Sequence, residues 1–287
     1  MRWRGGRRSG NVIDRRGGGR VGGGRARVGG IGGLGAVAIV LIGLFFGVDL
    51  TPLLGTTTGG EVSYGGGEVT AEDQERGEFA AVVLAFTEDV WREEFQRQLG
   101  REYDPPELVL FAGATETACG FGEAATGPFY CPADERAYLD TDFFVALDQQ
   151  LGAGGDFAAA YVIAHEVGHH IQNELGILGQ VNAAQRGAGP AEANALQVRV
   201  ELMADCLSGI WARHADDRFG VLERGDLEEA LNAAARIGDD TLQREAGRVV
   251  RPETFTHGSS EQRQRWFATG FETGSIEACD TFAADRL

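Results

Sequence analysis

The run His165-Glu166-Val167-Gly168-His169 places two imidazoles four residues apart, with a carboxylate next to the first of them. On an α-helix, residues four apart lie on one face, one turn above the other. Two imidazoles in this arrangement can bind a single Zn²⁺ ion, and the neighbouring carboxylate can activate a water molecule on that ion. If the run is helical, it therefore predicts the catalytic centre of a metal-dependent peptidase.

The sequence around this run favours a helix. Asp156 is a candidate N-cap, and residues 157–173 contain no proline and several alanines, which are strong helix formers. Apolar side chains recur along one broad face of the segment, as a helix packed on a core requires, and Gly176 is a candidate stop signal. The competing interpretation is a pair of histidines that serve as ordinary core or surface residues, without a metal.

Two histidines leave the predicted site incomplete, because a catalytic zinc ion usually has three protein ligands and a water molecule. The best third candidate is Glu201, on a segment from about residue 191 to 214 whose apolar residues recur in three- and four-residue steps. Asp205 lies one helical turn after Glu201, so one carboxylate can bind metal while the other accepts the spare N–H of a ligand histidine. On an isolated helix, the same pair would instead be a solvated edge.

Several motifs together resemble the neutral zinc metallopeptidase family of bacterial membrane-anchored proteins, a branch of the zincins. They are Gly127-Pro128-Phe129-Tyr130-Cys131-Pro132, Tyr138-Leu139-Asp140, Ala160-Tyr161-Val162-Ile163-Ala164 with the metal motif that follows it, Glu201 to Cys206, and His257-Gly258-Ser259-Ser260 with Gln262-Arg263. The resemblance covers about residues 70 to 285. It implies that His165 and His169 bind zinc, that Glu166 is the catalytic acid and base, and that Glu201 is the third ligand.

His257 is a second candidate catalytic residue. Peptide hydrolysis benefits from a hydrogen-bond donor directed at the oxyanion that forms during attack on the carbonyl group. His257 precedes a segment that Ser259 or Ser260 can cap as a helix, and it can be this donor. The alternative is a loop histidine that packs near the cap. We expect no direct role for His170 or His214.

The charge of the chain is unevenly distributed. All 26 basic residues are arginines, and the formal net charge is −17. Residues 1–30 hold nine arginines and one aspartate, whereas the remainder is strongly acidic. An acidic body argues against nucleic acid as a partner. The Arg- and Gly-rich residues 1–30 predict a disordered cytoplasmic tail, with an RNA-binding tail as the alternative.

A strongly hydrophobic run follows the basic segment. Residues 31–50 are predicted to be a single transmembrane signal anchor, because no charge occurs from Ile31 to Val48 and about 20 apolar residues span a bilayer as a helix. The preceding arginines favour a cytoplasmic N-terminus, which would hold the rest of the chain outside the cytoplasm and attached to the lipid bilayer. A cleaved signal peptide is the alternative. Residues 51–69 are rich in Gly and Thr and predict a flexible linker.

The four cysteines agree with a compartment in which disulfides persist. Three connectivities are possible. Cys119–Cys131 would close a short loop, and Cys206–Cys279 would tie the helix of Glu201 to the C-terminal part of the chain. The alternative is four reduced, buried thiols. A zinc site made of cysteines is not indicated, because the sequence has no Cys-x-x-Cys pair.

The predicted fold of residues 70–287 is an α+β, mostly helical zincin-like metallopeptidase domain with a small β-sheet. Thr70 can cap a helix that ends near Gly100, and short strands are predicted at residues 108–111 and 137–139. A strand at the edge of such a sheet would suit an extended peptide. These features favour hydrolysis of peptide or protein substrates with one Zn²⁺ ion; the alternative is a membrane-anchored binding or scaffolding module whose zinc is not catalytic.

Overall fold

The computed structural model describes residues 1–17, 69–123 and 127–287. Helices make up most of this part of the chain, and the strands form one small sheet and one hairpin. The helices are α1 (Ala71–Glu94), α2 (Asp142–Gln149), α3 (Asp156–Glu174), α4 (Ile177–Gln185), α5 (Pro190–Phe219), α6 (Asp226–Arg236), α7 (Asp239–Glu245) and α8 (Ser260–Thr273). The predicted class, α+β and mostly helical with a small sheet, is confirmed.

The sheet places two predicted strands side by side. The strands are β1 (Val12–Asp14), β2 (Glu107–Phe111), β3 (Ala114–Thr117), β4 (Gly120–Glu123), β5 (Phe129–Cys131) and β6 (Arg136–Asp140). The order in the sheet is β1-β2-β6-β5, with β1 and β6 parallel to β2, and β5 antiparallel to β6 at one edge. β3 and β4 form a separate antiparallel hairpin. The strands predicted from the sequence are β2 and β6; the other four carry no clear sequence signal.

Helix α1 begins at the predicted cap. The Thr70 hydroxyl accepts a hydrogen bond from the N–H of Asp73, and the Asp73 carboxylate accepts one from the N–H of Thr70. This capping box satisfies two donors that a helix start leaves free. A π-helical segment from Phe95 to Leu99 continues the helix, and Gly100, at a φ of +63°, ends it. The middle of α1 is buried, and the helix packs on α3.

Two glycines bring the central helices into close contact. A methyl group at Gly168 of α3 would lie 3.1 Å from the Cα atom of Ala204 on α5. A methyl group at Gly270 of α8 would lie only 1.8 Å from the main-chain carbonyl oxygen of Cys206, also on α5. Side chains do not separate the backbones at these crossings, so α5 is held tightly between α3 and α8.

The two helices that carry the predicted metal site are present, but their ends differ from the prediction. The cap residue of α3 is Gly155, so the prediction that Asp156 is the N-cap is wrong. Asp156 is instead the first helical residue, where its negative charge faces the positive end of the helix dipole. Helix α5 is longer than the predicted segment, because Pro190 provides its start and Gly220, at a φ of +61°, provides its stop.

Residues 1–17 form an arm that packs on the domain. Strand β1 of the arm pairs with β2, with Val12 opposite Leu108. The Glu88 carboxylate, buried on α1, accepts hydrogen bonds from three arm residues, Arg7, Ser9 and Asn11. The prediction of a disordered tail is therefore wrong for this part of the chain. The arm supplies a strand to the sheet and partners to a buried charge, which would otherwise destabilise the fold.

The predicted anchor at residues 31–50 lies outside the described residues. Among the residues that the structure does describe, no helix is both long and apolar enough to cross a membrane. The predicted topology, with a cytoplasmic N-terminus and the domain outside, stays a prediction from the sequence.

We expect Gly270→Ala to destabilise the protein, because the new methyl group would overlap the Cys206 carbonyl oxygen and push α8 away from α5. Overpacking of this kind costs about 1–3 kcal/mol, occasionally more, and the free energy of unfolding measures it. Gly179→Ala on α4 is the matched control, since its methyl group would meet no atom within 4 Å. The higher helix propensity of alanine should raise the stability of that control by up to about 1 kcal/mol. Equal stability of the two variants would contradict the close crossing.

Candidate active site

Helices α3 and α5 bring three side chains of metal-binding type together. His165 and His169 lie one turn apart on α3, and Glu201 faces them from α5. The Nε2 atoms of His165 and His169 lie 3.2 Å and 3.6 Å from Oε2 of Glu201. The three residues that the sequence suggests as ligands therefore converge on one point.

The spacing of these atoms fits a zinc ion. Nitrogen and oxygen ligands lie about 2.0–2.1 Å from a tetrahedral Zn²⁺ ion, which places any two of them about 3.3–3.4 Å apart. The observed separations of 3.2 Å and 3.6 Å bracket that value. Two imidazoles and one carboxylate are also a donor set that zinc uses in hydrolytic enzymes. The side chains present therefore fit the metal that the sequence predicts.

Asp205 orients His165. Its Oδ1 atom accepts a hydrogen bond of 2.9 Å from Nδ1–H of His165, so the other ring nitrogen, Nε2, faces Glu201. Arg263 reaches the same carboxylate from α8, with Nε bound to Oδ2 and Nη2 bound to Oδ1, both at 2.9 Å. The Tyr161 hydroxyl donates to Oδ1 at 2.5 Å. The contact expected between Asp205 and a ligand-type histidine is thus present, inside a buried network.

Electrostatics in this cluster favour ionised carboxylates. Although burial would raise it, the pKa of Asp205 is held below its usual value by Arg263 and His165. His169 and His165 likewise hold the pKa of Glu201 well below its usual value, against the effect of burial. Burial would lower the pKa of His165, but Asp205 and then Glu201 raise it to about 9. A protonated His165 therefore balances the carboxylates in the metal-free protein, and a bound cation would replace that proton.

Glu166 lies beside the three converging side chains without joining them. It does not belong to the group whose ligand atoms lie within 4.8 Å of one another. Its side chain is buried at the wall of the cavity described below, and burial raises its pKa above the usual range of a glutamate. A raised pKa improves a carboxylate as a proton acceptor near neutral pH. The position of Glu166 therefore suits a group that takes and returns a proton.

A cavity of about 740 Å³ opens beside the three side chains. Segment 127–130, which includes the start of edge strand β5, forms part of its wall, and about half of the other wall residues are apolar. The apolar contributions from α2, α4 and α7 are Phe143, Ala146, Leu178, Val181 and Leu242. Among the described strands, β5 pairs only with β6. An extended peptide could add to the other edge of β5 by main-chain hydrogen bonds.

His257 lines the same cavity, from the loop that precedes α8. The Asp239 carboxylate fixes this loop: it accepts the N–H groups of residues 256–258 at 2.7–3.0 Å, and it lies 3.3 Å from Nδ1 of His257. Burial opposes protonation of the ring, but Asp239 and then Glu201 raise the pKa of His257. Within the described part of the chain, Nε2 has no hydrogen-bond partner, so a protonated ring can donate from it.

Two further histidines make contacts elsewhere. His170 accepts a hydrogen bond from the Tyr130 hydroxyl at 3.0 Å and donates one to the Asp104 carbonyl oxygen at 2.6 Å, so it ties α3 to β5. His214 lies near Glu94 and does not line the cavity. Neither ring belongs to the converging group.

Both disulfides suggested by the sequence are present. Cys119–Cys131 joins the turn of the β3–β4 hairpin to the end of β5. Cys206–Cys279 ties α5, one residue after Asp205, to the C-terminal segment. The two bridges therefore restrain the edge strand beside the cavity and the helix that carries Glu201.

Sequence patterns do not mark several polar residues around the site. Gln172 lies 2.9 Å from Nδ1 of His169, and Gln197 donates to Oε1 of Glu201 at 2.9 Å. Each glutamine lies one helical turn from the side chain that it contacts, and this spacing could have pointed to both. Arg263 is visible only as part of a motif, because the carboxylate that it binds is 58 residues away.

Comparison with known proteins agrees with this geometry. Residues 1–282 match the family described as "Putative neutral zinc metallopeptidase". The chain is 49% identical over 289 residues to "Uncharacterized protein YpfJ" of Escherichia coli (strain K12), covering 98% of this chain and 99% of that protein. It is 48% identical over 195 residues to "Uncharacterized protein Rv2575" of Mycobacterium tuberculosis (strain ATCC 25618 / H37Rv), covering 64% of this chain and 65% of that protein.

No solved structure shows a significant match. The family match nevertheless spans nearly the whole chain and includes the N-terminal arm together with the helices of the site. It agrees with the resemblance that the motifs around His165 and Glu201 carry. The chain therefore belongs to the neutral zinc metallopeptidase family.

Proposed function

We propose that this protein is a zinc-dependent peptidase that hydrolyses peptide bonds in peptides or proteins. The observation that carries the proposal is the convergence of His165, His169 and Glu201 at the wall of a cavity, with Glu166 beside them. Three protein ligands next to open space are typical of catalytic zinc sites, whereas four protein ligands close a structural site. Membership of a family described as zinc metallopeptidases supports the same activity.

Each residue of the site has a separate task in this proposal. His165, His169 and Glu201 hold one zinc ion, which supplies Lewis-acid chemistry when bound. Glu166 takes a proton from the attacking water and passes it to the departing amine. The protonated ring of His257 donates a hydrogen bond to the oxyanion of the tetrahedral species. Strand β5 aligns the substrate by main-chain hydrogen bonds.

The alternative, a binding or scaffolding module with a non-catalytic zinc ion, receives less support from the same geometry. A structural site has no need of a buried carboxylate such as Glu166 next to its ligands. It also has no need of a large cavity on one side of the metal. Both features are expected of a site that admits a substrate.

We also propose that the domain works in an oxidising compartment. Both disulfides lie next to functional elements, and disulfides are rare in proteins of the reducing cytosol. The two disulfides are the observation that supports a position outside the cytoplasm. Attachment to a bilayer through residues 31–50 stays a prediction from the sequence.

Glu166→Gln should retain zinc and lose turnover, because the amide preserves the shape of the side chain but cannot accept the proton. We expect kcat/KM on a peptide library to fall by about 10²- to 10⁴-fold at unchanged zinc content. Glu201→Ala is the matched variant that should lose zinc, and activity with it. Native turnover by Glu166→Gln would refute the role of Glu166, and turnover by native protein stripped of metal would refute the zinc requirement.

Metal-free protein should lose stability as the pH rises. The pKa of His165 is about 9 in the folded metal-free protein, against 6.5 for an unperturbed histidine, and the pKa values of His169 and His257 shift in the same direction. A pKa raised by folding gives a stabilisation that is complete below pH 6.5 and is lost as the pH approaches 9. We expect the Tm of chelator-treated protein to fall across this range, by calorimetry.

The zinc-loaded protein is the control for this measurement. Its Tm should change less between pH 6.5 and 9, because the metal takes the place of the proton on the imidazoles. Metal-free protein that gains stability over the same range would contradict the protonated His165.

A further inference from the structure

We infer that Gln172 is a positioning residue for the metal site, an inference that rests on the proposed function. Gln172 is completely buried on α3, one turn after His169. Its amide contacts two groups: Nδ1 of His169 at 2.9 Å, and the main-chain carbonyl oxygen of Val200 at 2.6 Å. Val200 immediately precedes Glu201 on α5. One side chain therefore links a candidate ligand on one helix to the backbone that carries the candidate ligand on the other.

These two contacts determine which nitrogen of His169 carries the hydrogen. The Val200 carbonyl oxygen can only accept a hydrogen bond, so the amide nitrogen of Gln172 must face it. The amide oxygen then faces His169, and Nδ1 of that ring must be protonated. The lone pair is left on Nε2, which lies 3.6 Å from Oε2 of Glu201. Gln172 thus selects the tautomer of His169 that can bind a metal, as Asp205 does for His165.

Gln172 also sets the register between the two helices. It lies one turn after Gly168, where an added methyl group would lie 3.1 Å from the Cα atom of Ala204. The glycine allows the helices to approach, and the contact of Gln172 with the Val200 carbonyl oxygen resists sliding of one along the other. Because Glu201 follows Val200 directly, this register decides where the carboxylate meets the imidazoles.

The test compares the zinc affinity of Gln172→Leu and Gln172→Glu with that of a control, Gln98→Leu. Leucine removes both contacts at similar volume, whereas glutamate keeps an acceptor for Nδ1–H of His169. Gln98 also donates to a main-chain carbonyl oxygen, that of Gly274 at 2.9 Å, but it does not line the cavity. The dissociation constant of zinc is measured by competition with a chromogenic chelator, which needs no peptide hydrolysis.

We expect Gln172→Leu to bind zinc about 10- to 100-fold more weakly, Gln172→Glu to recover part of the loss, and Gln98→Leu to bind zinc like the native protein. If Gln172→Leu does not fold, Gln172→Asn replaces it with the same expectation, because its shorter amide cannot reach both groups. Unchanged affinity at position 172, or an equal loss in Gln98→Leu, would overturn the inference. Native protein that binds zinc but cleaves no peptide would contradict the proposed function alone.

A second inference has an independent basis, the contacts of the N-terminal arm. We propose that residues 1–17 lie in the same compartment as the zinc-binding helices. The Arg16 guanidinium is buried against Gly77 of α1, where a methyl group would lie 2.3 Å from it, and it pairs with Asp14 of β1. The absence of a side chain at Gly77 therefore gives Arg16 its space on the domain. Other arm residues donate hydrogen bonds to the buried Glu88 carboxylate.

These contacts cannot form across a bilayer. The N–H of Leu108 donates to the Asn11 carbonyl oxygen at 2.8 Å, and the N–H of Arg15 donates to the Leu110 carbonyl oxygen at 2.7 Å. The hydrocarbon core of a membrane is about 30 Å thick. The arm and the domain can therefore make these contacts only when both lie on the same side of a membrane.

The test uses two exposed glycines, Gly10 on the arm and Gly179 on the domain. A methyl group at either would meet no atom within 4 Å, and the four native cysteines are all paired in disulfides, so Gly10→Cys and Gly179→Cys each add one free thiol. Intact cells that express the full chain are treated with a membrane-impermeant maleimide, before and after permeabilisation. We expect both thiols to label under the same condition. Labelling of one before permeabilisation and of the other only afterwards would overturn the proposal.

Discussion

The close approach of α3 to α5 at Gly168 is the constraint on which the site depends. The two imidazoles lie on α3 and the carboxylate lies on α5, so the distance between the helix axes decides whether one ion can reach all three. A side chain at Gly168 would meet the backbone of Ala204 at 3.1 Å and widen that distance. The distances of 3.2 Å and 3.6 Å from Oε2 of Glu201 to Nε2 of His165 and of His169 follow from this close approach. Glycine at this position lowers the stability of α3 by roughly 1 kcal/mol relative to alanine. In return, it allows the close contact with α5 that brings the three side chains together.

A third helix, α8, is needed to keep the Asp205 carboxylate of the site ionised. Asp205 is fully buried, and a buried carboxylate without a partner destabilises a fold by several kcal/mol. Arg263 of α8 supplies the partner through two hydrogen bonds, and Gly270 lets α8 approach α5 closely enough to make them. Asp205 can then remain ionised and hold His165 by its Nδ1–H. Helix α8 therefore belongs to the site, although the converging side chains lie on α3 and α5.

The parts of the structure that follow from local geometry could be predicted, and the parts that follow from distant pairing could not. The face shared by His165 and His169, the turn between Glu201 and Asp205, and the cap at Thr70 all depend on residues within four positions of each other. The arm could not be predicted, because its Arg- and Gly-rich composition is typical of disorder and its three-residue strand finds its partner about a hundred positions away. The pairing of Arg263 with Asp205 could not be predicted for the same reason, since nothing near Arg263 in the sequence indicates which carboxylate it binds.

X-ray absorption at the zinc K edge, on full-length protein loaded with one equivalent of zinc, tests the proposed metal site most directly. We predict four nitrogen or oxygen ligands at about 2.0–2.1 Å, with the outer-shell scattering of two imidazole rings. In the proposed site, the two histidines and Glu201 would supply three of these ligands and solvent would supply the fourth. A sulfur ligand at about 2.3 Å, or a spectrum without imidazole scattering, would contradict it.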